Sequence, residues 1–231
     1  IMNYRNLNGF NVYGFDDINH ILSFIRNKKK ILIAMNAEKI VNENKIIKKL
    51  SKNHIAYPDG EGCVLGLKQK GLKSIKISGS KLWLEIINYY KSDFKFYFIG
   101  ATEKVIGMTI SKLKTDYAGI NIVGYRNGYF SEEEIVDLKI NIKNEKPDFI
   151  FVAMGSPKQE ILMQNLYNDY PSMYMGLGGS FDVYVGKKKD VSKLLYNLKL
   201  EWLFRLFQDL KRFRRVHKLF IYSLKLLFRR L

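Results

Sequence analysis

Polar side chains that could do chemistry follow several short apolar runs in this sequence. Asn36 comes directly after Ile31–Met35, and Asp59 and Gly60 come shortly after Ile55–Tyr57. Asp59 is the strongest candidate for a general base, because a carboxylate between a proline and a glycine at a strand end lets the backbone approach a ligand closely. The competing interpretation is a Pro-Asp-Gly turn in which Asp59 caps the next helix.

A further candidate segment, Gly155–Glu160, follows the apolar run at 148–154. Its local pattern predicts a capping box, with Ser156 as the N-cap, Pro157 at the first helical position and Gln159 at the third. The same geometry would offer N–H groups and a positive dipole end to a phosphate or a sugar. The substrate-binding candidates in this segment are Gly155, Gln159 and Glu160.

Basic residues near the end of the chain form another candidate group. Arg205, Arg212 and Arg215 are 7 and 10 residues apart, which places them within roughly 80° on one helical face. Such a face could grip a diphosphate through forked hydrogen bonds, or it could be a solvated surface near anionic lipid. Asp182, after the last apolar run of the core, is either a helix-start residue or an acceptor for ligand hydroxyls.

Several common signatures of metal and cofactor sites are missing from the sequence. It has no Asp-x-Asp pair, no Walker loop and three scattered histidines. We therefore expect a site with no metal and no cofactor, in which arginines or a helix N-terminus neutralise a leaving diphosphate. The one cysteine, Cys63, cannot form an internal disulfide, which favours a reducing, cytoplasmic location.

The elements that must position these residues alternate between strands and helices. This pattern predicts an α/β fold with a Rossmann-like, mostly parallel sheet flanked by helices. Helices are expected at Ser80–Tyr90 and Ser131–Asn144, and after a cap at Asp16 or Asp17. The predicted strands are Ile31–Met35, Ile55–Tyr57, Lys95–Ile99, Ile120–Tyr125, Asp148–Met154 and Met173–Leu177.

The last part of the chain differs in composition. Residues 187–231 hold fourteen Lys and Arg against three Asp and Glu, so a charge of +11 out of the total of +17 lies there. The alternating elements and the candidate base predict an α/β catalytic domain over 1–190. Apolar residues at helical spacing predict a basic amphipathic appendage over 191–231. The segment 219–231 has the character of an interfacial helix, with Phe220, Ile221, Leu224, Leu227 and Phe228 as its apolar residues.

Six pieces of the sequence, in order, resemble the WecG/TagA/CpsF family, glycosyltransferase family 26. They are Asn36-Ala37-Glu38; Pro58-Asp59-Gly60-Glu61-Gly62; Gly124-Tyr125 with Gly128-Tyr129-Phe130; Pro147-Asp148 leading to Gly155–Glu160; Gly176–Asp182; and Leu200–Leu206.

This resemblance implies an inverting, metal-independent hexosyltransferase. The donor would be a UDP-sugar carrying an N-acetylmannosamine-type sugar or another hexose. The acceptor would be a polyprenyl-diphosphate-linked sugar, used for a polymer such as teichoic acid, capsule or O-antigen. The enzyme would be cytoplasmic and peripheral on the inner, anionic face of the cell membrane. Whether it forms a homo-oligomer is left open.

The resemblance also assigns roles to individual residues. Asp59 matches the proposed catalytic base, and Asn36 and Gln159 match residues lining the sugar pocket. Asp182 matches a residue near the nucleotide. Gly60, Gly155 and Glu160 are included in the substrate-binding set. The basic appendage would fold over the site, stabilise the leaving diphosphate and dock on the membrane. Its basic residues in the family are matched here by Arg205, Arg212 and Arg215.

The sequence departs from the family pattern in two places. Ala34 stands where many members have threonine, so a hydroxyl is missing, and Asp190-Val191-Ser192 replaces a common Arg-Ala-Pro. The alternative of a nucleic-acid-binding protein rests on the basic tail alone, which lacks a zinc-finger or heptad pattern, so no nucleic-acid partner is expected. A nucleotide-dependent reductase is disfavoured because the glycine spacing after Asp59 misses the dinucleotide fingerprint by one residue.

Overall fold

The computed structural model describes residues 3–187 and 216–228. Within these residues a six-stranded parallel sheet has the order β4-β3-β8-β7-β5-β6. The α/β prediction is confirmed, and each predicted strand is present within two residues of its expected ends. The sheet strands are β3 Ile31–Met35, β4 Ile55–Pro58, β5 Lys95–Gly100, β6 Asn121–Arg126, β7 Phe149–Ala153 and β8 Met173–Gly176.

Helices cover both faces of this sheet, which explains why the central strands are continuous apolar runs. One hydrophobic cluster contains α2 Ala37–Asn42, α3 Lys45–Asn53, α4 Glu61–Gln69, α7 Glu132–Glu145 and α8 Lys158–Asp169. The cluster on the opposite face contains α1 Ile18–Ile25, α5 Gly79–Tyr90, α6 Glu103–Asp116 and α9 Ser180–Tyr184. The two clusters share the sheet between them, so the core is a three-layer sandwich.

Two helices begin with the caps that the sequence predicts, α1 and α7. Asp17 caps α1 by accepting a hydrogen bond from His20 N–H at 2.7 Å. Ser131 and Glu134 form the reciprocal capping box that begins α7. The predicted helix at 80–90 is α5, which buries Trp83, Ile86 and Tyr90 against the sheet.

A short antiparallel hairpin near the start of the chain is absent from the sequence-based predictions. Strand β1, Tyr4–Leu7, pairs with β2, Phe10–Tyr13. The turn is made by Asn8 and Gly9, both at positive φ, which these residue types adopt readily. Leu7, Phe10 and Val12 fill the core beside α3 and α4, so the hairpin extends the helix-covered layer.

The described part of the basic tail contains one helix, Val216–Leu227, called the C-terminal helix from here on. It packs on α2 and α4 and buries Tyr222. The predicted boundary at residue 190 and the first part of the predicted appendage lie outside the described residues.

Candidate active site

The parallel register brings two of the predicted site segments together at the carboxyl end of the sheet. Strands β3 and β4 are neighbours, and Asp59 N–H donates to the Met35 carbonyl at 2.8 Å. Asn36 and Gly60 therefore face each other, since a Cβ on Gly60 would lie 3.4 Å from Asn36 Cβ. Glycine at position 60 keeps the space beside Asn36 open.

The Asp59 carboxylate is held by the start of α5. Asp59 Oδ1 accepts a hydrogen bond from Gly79 N–H at 2.6 Å. The N-cap of the following helix, α4, is Gly60, so the expectation that Asp59 caps the next helix is wrong. The reason lies in the tertiary structure. After α4 the chain returns along β4, where Ile77 N–H donates to the Pro58 carbonyl at 2.8 Å. This return brings the start of α5 to Asp59.

Asn36 lies at the start of α2 and connects to a buried ion pair. Its side-chain oxygen accepts from Lys39 N–H at 3.0 Å, which makes it the N-cap of the helix. The Lys39 ammonium in turn lies 3.0 Å from Glu160 Oε1, and Glu160 is almost completely buried. The first turn of α2 is thus tied to the first turn of α8.

The predicted capping box at 156–159 is wrong. Helix α8 begins at Lys158, after a cis peptide bond between Ser156 and Pro157, and no side chain caps it. Gln159 is buried, and its Oε1 accepts from Gly178 N–H at 2.9 Å. A contact between the first turn of α8 and the loop after β8 therefore uses the side chain that the local pattern had assigned to the cap.

Four candidate residues follow strands at the carboxyl edge of one parallel sheet, the edge at which open α/β sheets bind ligands. They are Asn36, Asp59, Gln159 and Glu160. A family model described as the glycosyl transferase WecG/TagA/CpsF family matches residues 7–231. The chain belongs to the WecG/TagA/CpsF family. Membership makes it a glycosyltransferase of cell-surface polysaccharide synthesis, which takes a nucleotide-sugar donor and a sugar acceptor.

The remaining family-matched residues are only partly described. Asp182 lies in the short helix α9 after β8, with one carboxylate oxygen 4.0 Å from the Lys187 ammonium. Gly155 has a positive φ of 78° in the loop after β7. The arginines Arg205, Arg212 and Arg215 lie outside the described residues.

The structure adds a residue near Asp59 that the sequence did not point to. Tyr57 is fully buried two residues before Asp59, and its hydroxyl has no hydrogen-bond partner within the described part of the chain. Burial, and then the negative charge of Asp59, raise the pKa of the Tyr57 hydroxyl well above its usual value. An apolar strand gives no sequence signal that one of its tyrosines ends beside a carboxylate.

The C-terminal helix makes a second contact that the sequence did not predict. The Tyr222 hydroxyl donates to the Gly62 carbonyl at 2.7 Å, and a Cβ on Gly62 would lie 3.1 Å from the Tyr222 ring. Lys225 pairs with Glu43 beyond the end of α2 at 3.2 Å. The helix is therefore attached to α2 and α4, the two helices that follow Asn36 and Asp59.

The described residues hold no cluster of three or more His, Cys, Asp or Glu side chains suited to a metal ion. Within the same residues, no helix combines the length and apolar character needed to cross a membrane. An open groove of about 570 Å³ lies along α6 and includes Glu103, Met108 and Lys112. It contains none of the candidate site residues, and β5, which leads into α6, is four positions from β4 in the sheet.

Proposed function

We propose that this chain transfers a hexose, with inversion, from a UDP-sugar to a sugar on a polyprenyl diphosphate. The observation that carries the proposal is the Asp59 carboxylate at the carboxyl end of β4, held by the Gly79 N–H. The residues that match the family's sugar pocket, Asn36 and Gln159, follow other strands at the same carboxyl edge of the sheet. The family membership supplies the reaction class, and the geometry around Asp59 supports the choice of base.

In the proposed reaction Asp59 takes the proton from the acceptor hydroxyl as that oxygen attacks the anomeric carbon of the donor. The new glycosidic bond forms as the bond to the UDP oxygen breaks, so one displacement inverts the anomeric centre. A general base of this kind contributes roughly 10²- to 10⁴-fold to the rate. Gly79 N–H holds one carboxylate oxygen, which orients the group for this transfer.

The diphosphate that leaves carries negative charge, which the enzyme must stabilise. The sequence has no Asp-x-Asp pair, so we propose that Arg205, Arg212 and Arg215 take this role without a metal. Asp182, in helix α9 after β8, is assigned to the nucleotide side in the same proposal. An activity unaffected by EDTA is expected, and loss of activity in EDTA that Mg²⁺ restores would contradict it.

We further propose that the enzyme works on the inner face of the membrane through its basic tail. The C-terminal helix turns Tyr222 toward the protein, while Phe220, Leu227 and Phe228 are each more than 60% exposed. Exposed apolar side chains on a basic helix favour an anionic lipid surface. Deleting residues 192–231 should abolish vesicle binding and sugar transfer together, and full transfer by the shortened protein would contradict the role of the tail.

The reaction itself is tested with purified protein, a panel of UDP-sugars and a short-chain lipid-diphosphate sugar acceptor. The expected product is the acceptor plus one hexose unit, detected by mass, with an anomeric configuration opposite to that of the donor by NMR. Transfer with retention, or transfer only to an acceptor lacking the diphosphate, would contradict the proposal. The panel also identifies the sugar that the site accepts.

A further inference from the structure

The hydroxyl of Tyr57 is a buried polar group that the described part of the chain leaves without a hydrogen bond. Its side chain is 0% exposed and the oxygen has no hydrogen-bond partner within residues 3–187 and 216–228. Leaving a buried hydroxyl unpaired costs free energy, whereas phenylalanine would fill the same place without that cost. The folding of the described residues therefore gives no reason for a hydroxyl at this position.

Distances measured from Gly79 locate the Tyr57 hydroxyl. A Cβ at this glycine would lie 2.7 Å from the Tyr57 hydroxyl oxygen and 3.6 Å from Asp59 Oδ1. The same point is 3.9 Å from Cβ of Ala34, the residue paired with Tyr57 in the neighbouring strand. The hydroxyl and the carboxylate oxygen that Gly79 N–H holds thus both lie against the first residue of α5, and the charge of Asp59 acts on the phenol.

The chemistry of the pair suits a hydrogen bond from the phenol to the carboxylate. The raised pKa of Tyr57 keeps its proton in place, so the hydroxyl can donate at neutral pH. A carboxylate offers several lone-pair sites, so Asp59 can accept from Gly79 and from a second donor. The Tyr57 ring is fixed by burial on strand β4, so closing the bond would need the Asp59 side chain to move.

We propose that Tyr57 is a positioning residue, whose hydroxyl donates to the Asp59 carboxylate when the acceptor is bound. Asp59 is then held between the Gly79 N–H and the Tyr57 hydroxyl while it faces the acceptor sugar. This proposal rests on the proposed role of Asp59 as the base. It explains why a hydroxyl that costs stability is kept next to the reacting group.

The test is Tyr57→Phe, assayed for sugar transfer and for thermal stability in the full-length protein. The expected result is a kcat about tenfold to a hundredfold lower, the range of a hydrogen bond to a charged group. The KM for the UDP-sugar should be unchanged, because Tyr57 is fully buried and acts only through Asp59. The melting temperature should stay the same or rise, since an unsatisfied buried hydroxyl is removed.

Tyr90→Phe is the matched control. Tyr90 is also fully buried, but its hydroxyl donates to the Leu22 carbonyl at 2.5 Å, far along α5 from Asp59. This variant should lose stability and keep its kcat, the opposite of the result expected for Tyr57→Phe. A wild-type kcat in Tyr57→Phe, or a melting temperature that falls as it does in Tyr90→Phe, would overturn the proposal.

A double variant separates this proposal from the assignment of the base. Asp59→Ala alone should remove most of the transfer, and adding Tyr57→Phe should cause little further loss, because the two side chains act as one unit. If the two losses multiply, Tyr57 does not act through Asp59 and the proposal fails. If Asp59→Ala keeps its activity, the proposed base is wrong, which is a different failure from an unchanged kcat in Tyr57→Phe alone.

Discussion

The polar groups at the two ends of the parallel sheet differ in whether their hydrogen bonds are satisfied. At the amino end, Asp148 Oδ2 accepts from Lys95 N–H at 2.8 Å, and Ser172 Oγ lies 2.8 Å from the carbonyls of Pro147 and Asp148. At the carboxyl end, Tyr57 and Glu160 each bury an oxygen that has no partner in the described part of the chain. A third such oxygen, on Gln69, lies under the C-terminal helix.

The difference separates groups that serve folding from groups that folding does not need. A satisfied buried hydrogen bond contributes modestly to stability, whereas an unsatisfied buried oxygen costs more than a pair gains. The polar groups named at the amino end are therefore satisfied and contribute to the stability of the core. The carboxyl end keeps polar groups at a cost in stability, as expected where they are needed for binding or for proton transfer.

The largest effect is expected from a matched pair of aspartates, one at each end. Asp59 and Asp148 each accept a hydrogen bond from a backbone N–H, at 2.6 and 2.8 Å. Changing either residue to alanine should lower the free energy of unfolding by a similar amount, about 1–2 kcal/mol in urea titrations. Only Asp59→Ala should also lower kcat, by about 10²- to 10⁴-fold. Equal kcat values in the two variants would remove the distinction between the ends.

The buried Lys39–Glu160 pair at the carboxyl end comes next. Lys39→Met leaves the Glu160 carboxylate buried without its cation, so the free energy of unfolding should fall by about 3–5 kcal/mol. Changing both residues to methionine should recover most of this loss, because the buried charges are gone.

Sugar transfer by the double variant then decides what the pair is for. If Glu160 belongs to the substrate site, as the sequence predicts, transfer stays low although stability has returned. Recovery of both properties would show that the pair serves only to join α2 to α8. The measurement is kcat/KM for the UDP-sugar beside a urea titration of each variant.

At the amino end, His54 should make stability depend on pH. Its Nδ1 accepts from Ile31 N–H at 3.3 Å, and burial lowers the pKa of His54 to about 4. The unfolded value is about 6.5, so the folded state binds fewer protons. Stability is fully present above about pH 6.5 and is lost as the pH falls toward 4, by about 2 kcal/mol at pH 5.

Urea titrations at pH 7.5 and pH 5 test this in wild type and in His54→Gln, which cannot gain a proton in this range. The pH-dependent loss should be smaller in the variant by about 2 kcal/mol, since the carboxylates contribute equally to both proteins. His217→Gln, a change at an exposed histidine, is the control and should behave as wild type. Identical slopes in wild type and His54→Gln would show that His54 does not titrate in this way.

Much of the fold could be predicted because its strands are recognisable in the sequence as short apolar runs. Strands such as β3 and β7 are buried on both faces and rich in Ile, Phe and Val, which distinguishes them from the amphipathic helices between them. The hairpin at 4–13 was missed because Asn and Arg interrupt its short strands, although Asn8-Gly9 is a turn signal. Local pattern is weakest where strands are short and partly exposed.

The site was predicted by residue type and position, but its contacts were not. One hydrogen-bond partner of Asp59 is Gly79, twenty residues later in the sequence, and only the return of the chain along β4 brings it there. Gln159 fits a capping box by sequence, yet a loop contact with Gly178 takes its side chain. Both errors have one cause, because a local cap competes with a tertiary partner that the sequence does not reveal.

The C-terminal helix belongs to neither end, and its attachment should give the smallest effect. Tyr222→Phe removes the hydrogen bond to the Gly62 carbonyl and leaves the buried ring in place, which should cost about 0.5–1.5 kcal/mol. Amide hydrogen exchange of the helix should therefore speed up by about two- to tenfold, if docking limits its opening. Ser223→Ala, next to it on the exposed side, should leave exchange nearly unchanged. Because this helix contacts the helices that follow Asn36 and Asp59, a fall in kcat in Tyr222→Phe would link the tail to the carboxyl end of the sheet. Faster exchange with a wild-type kcat would instead assign the contact to folding, as at the amino end.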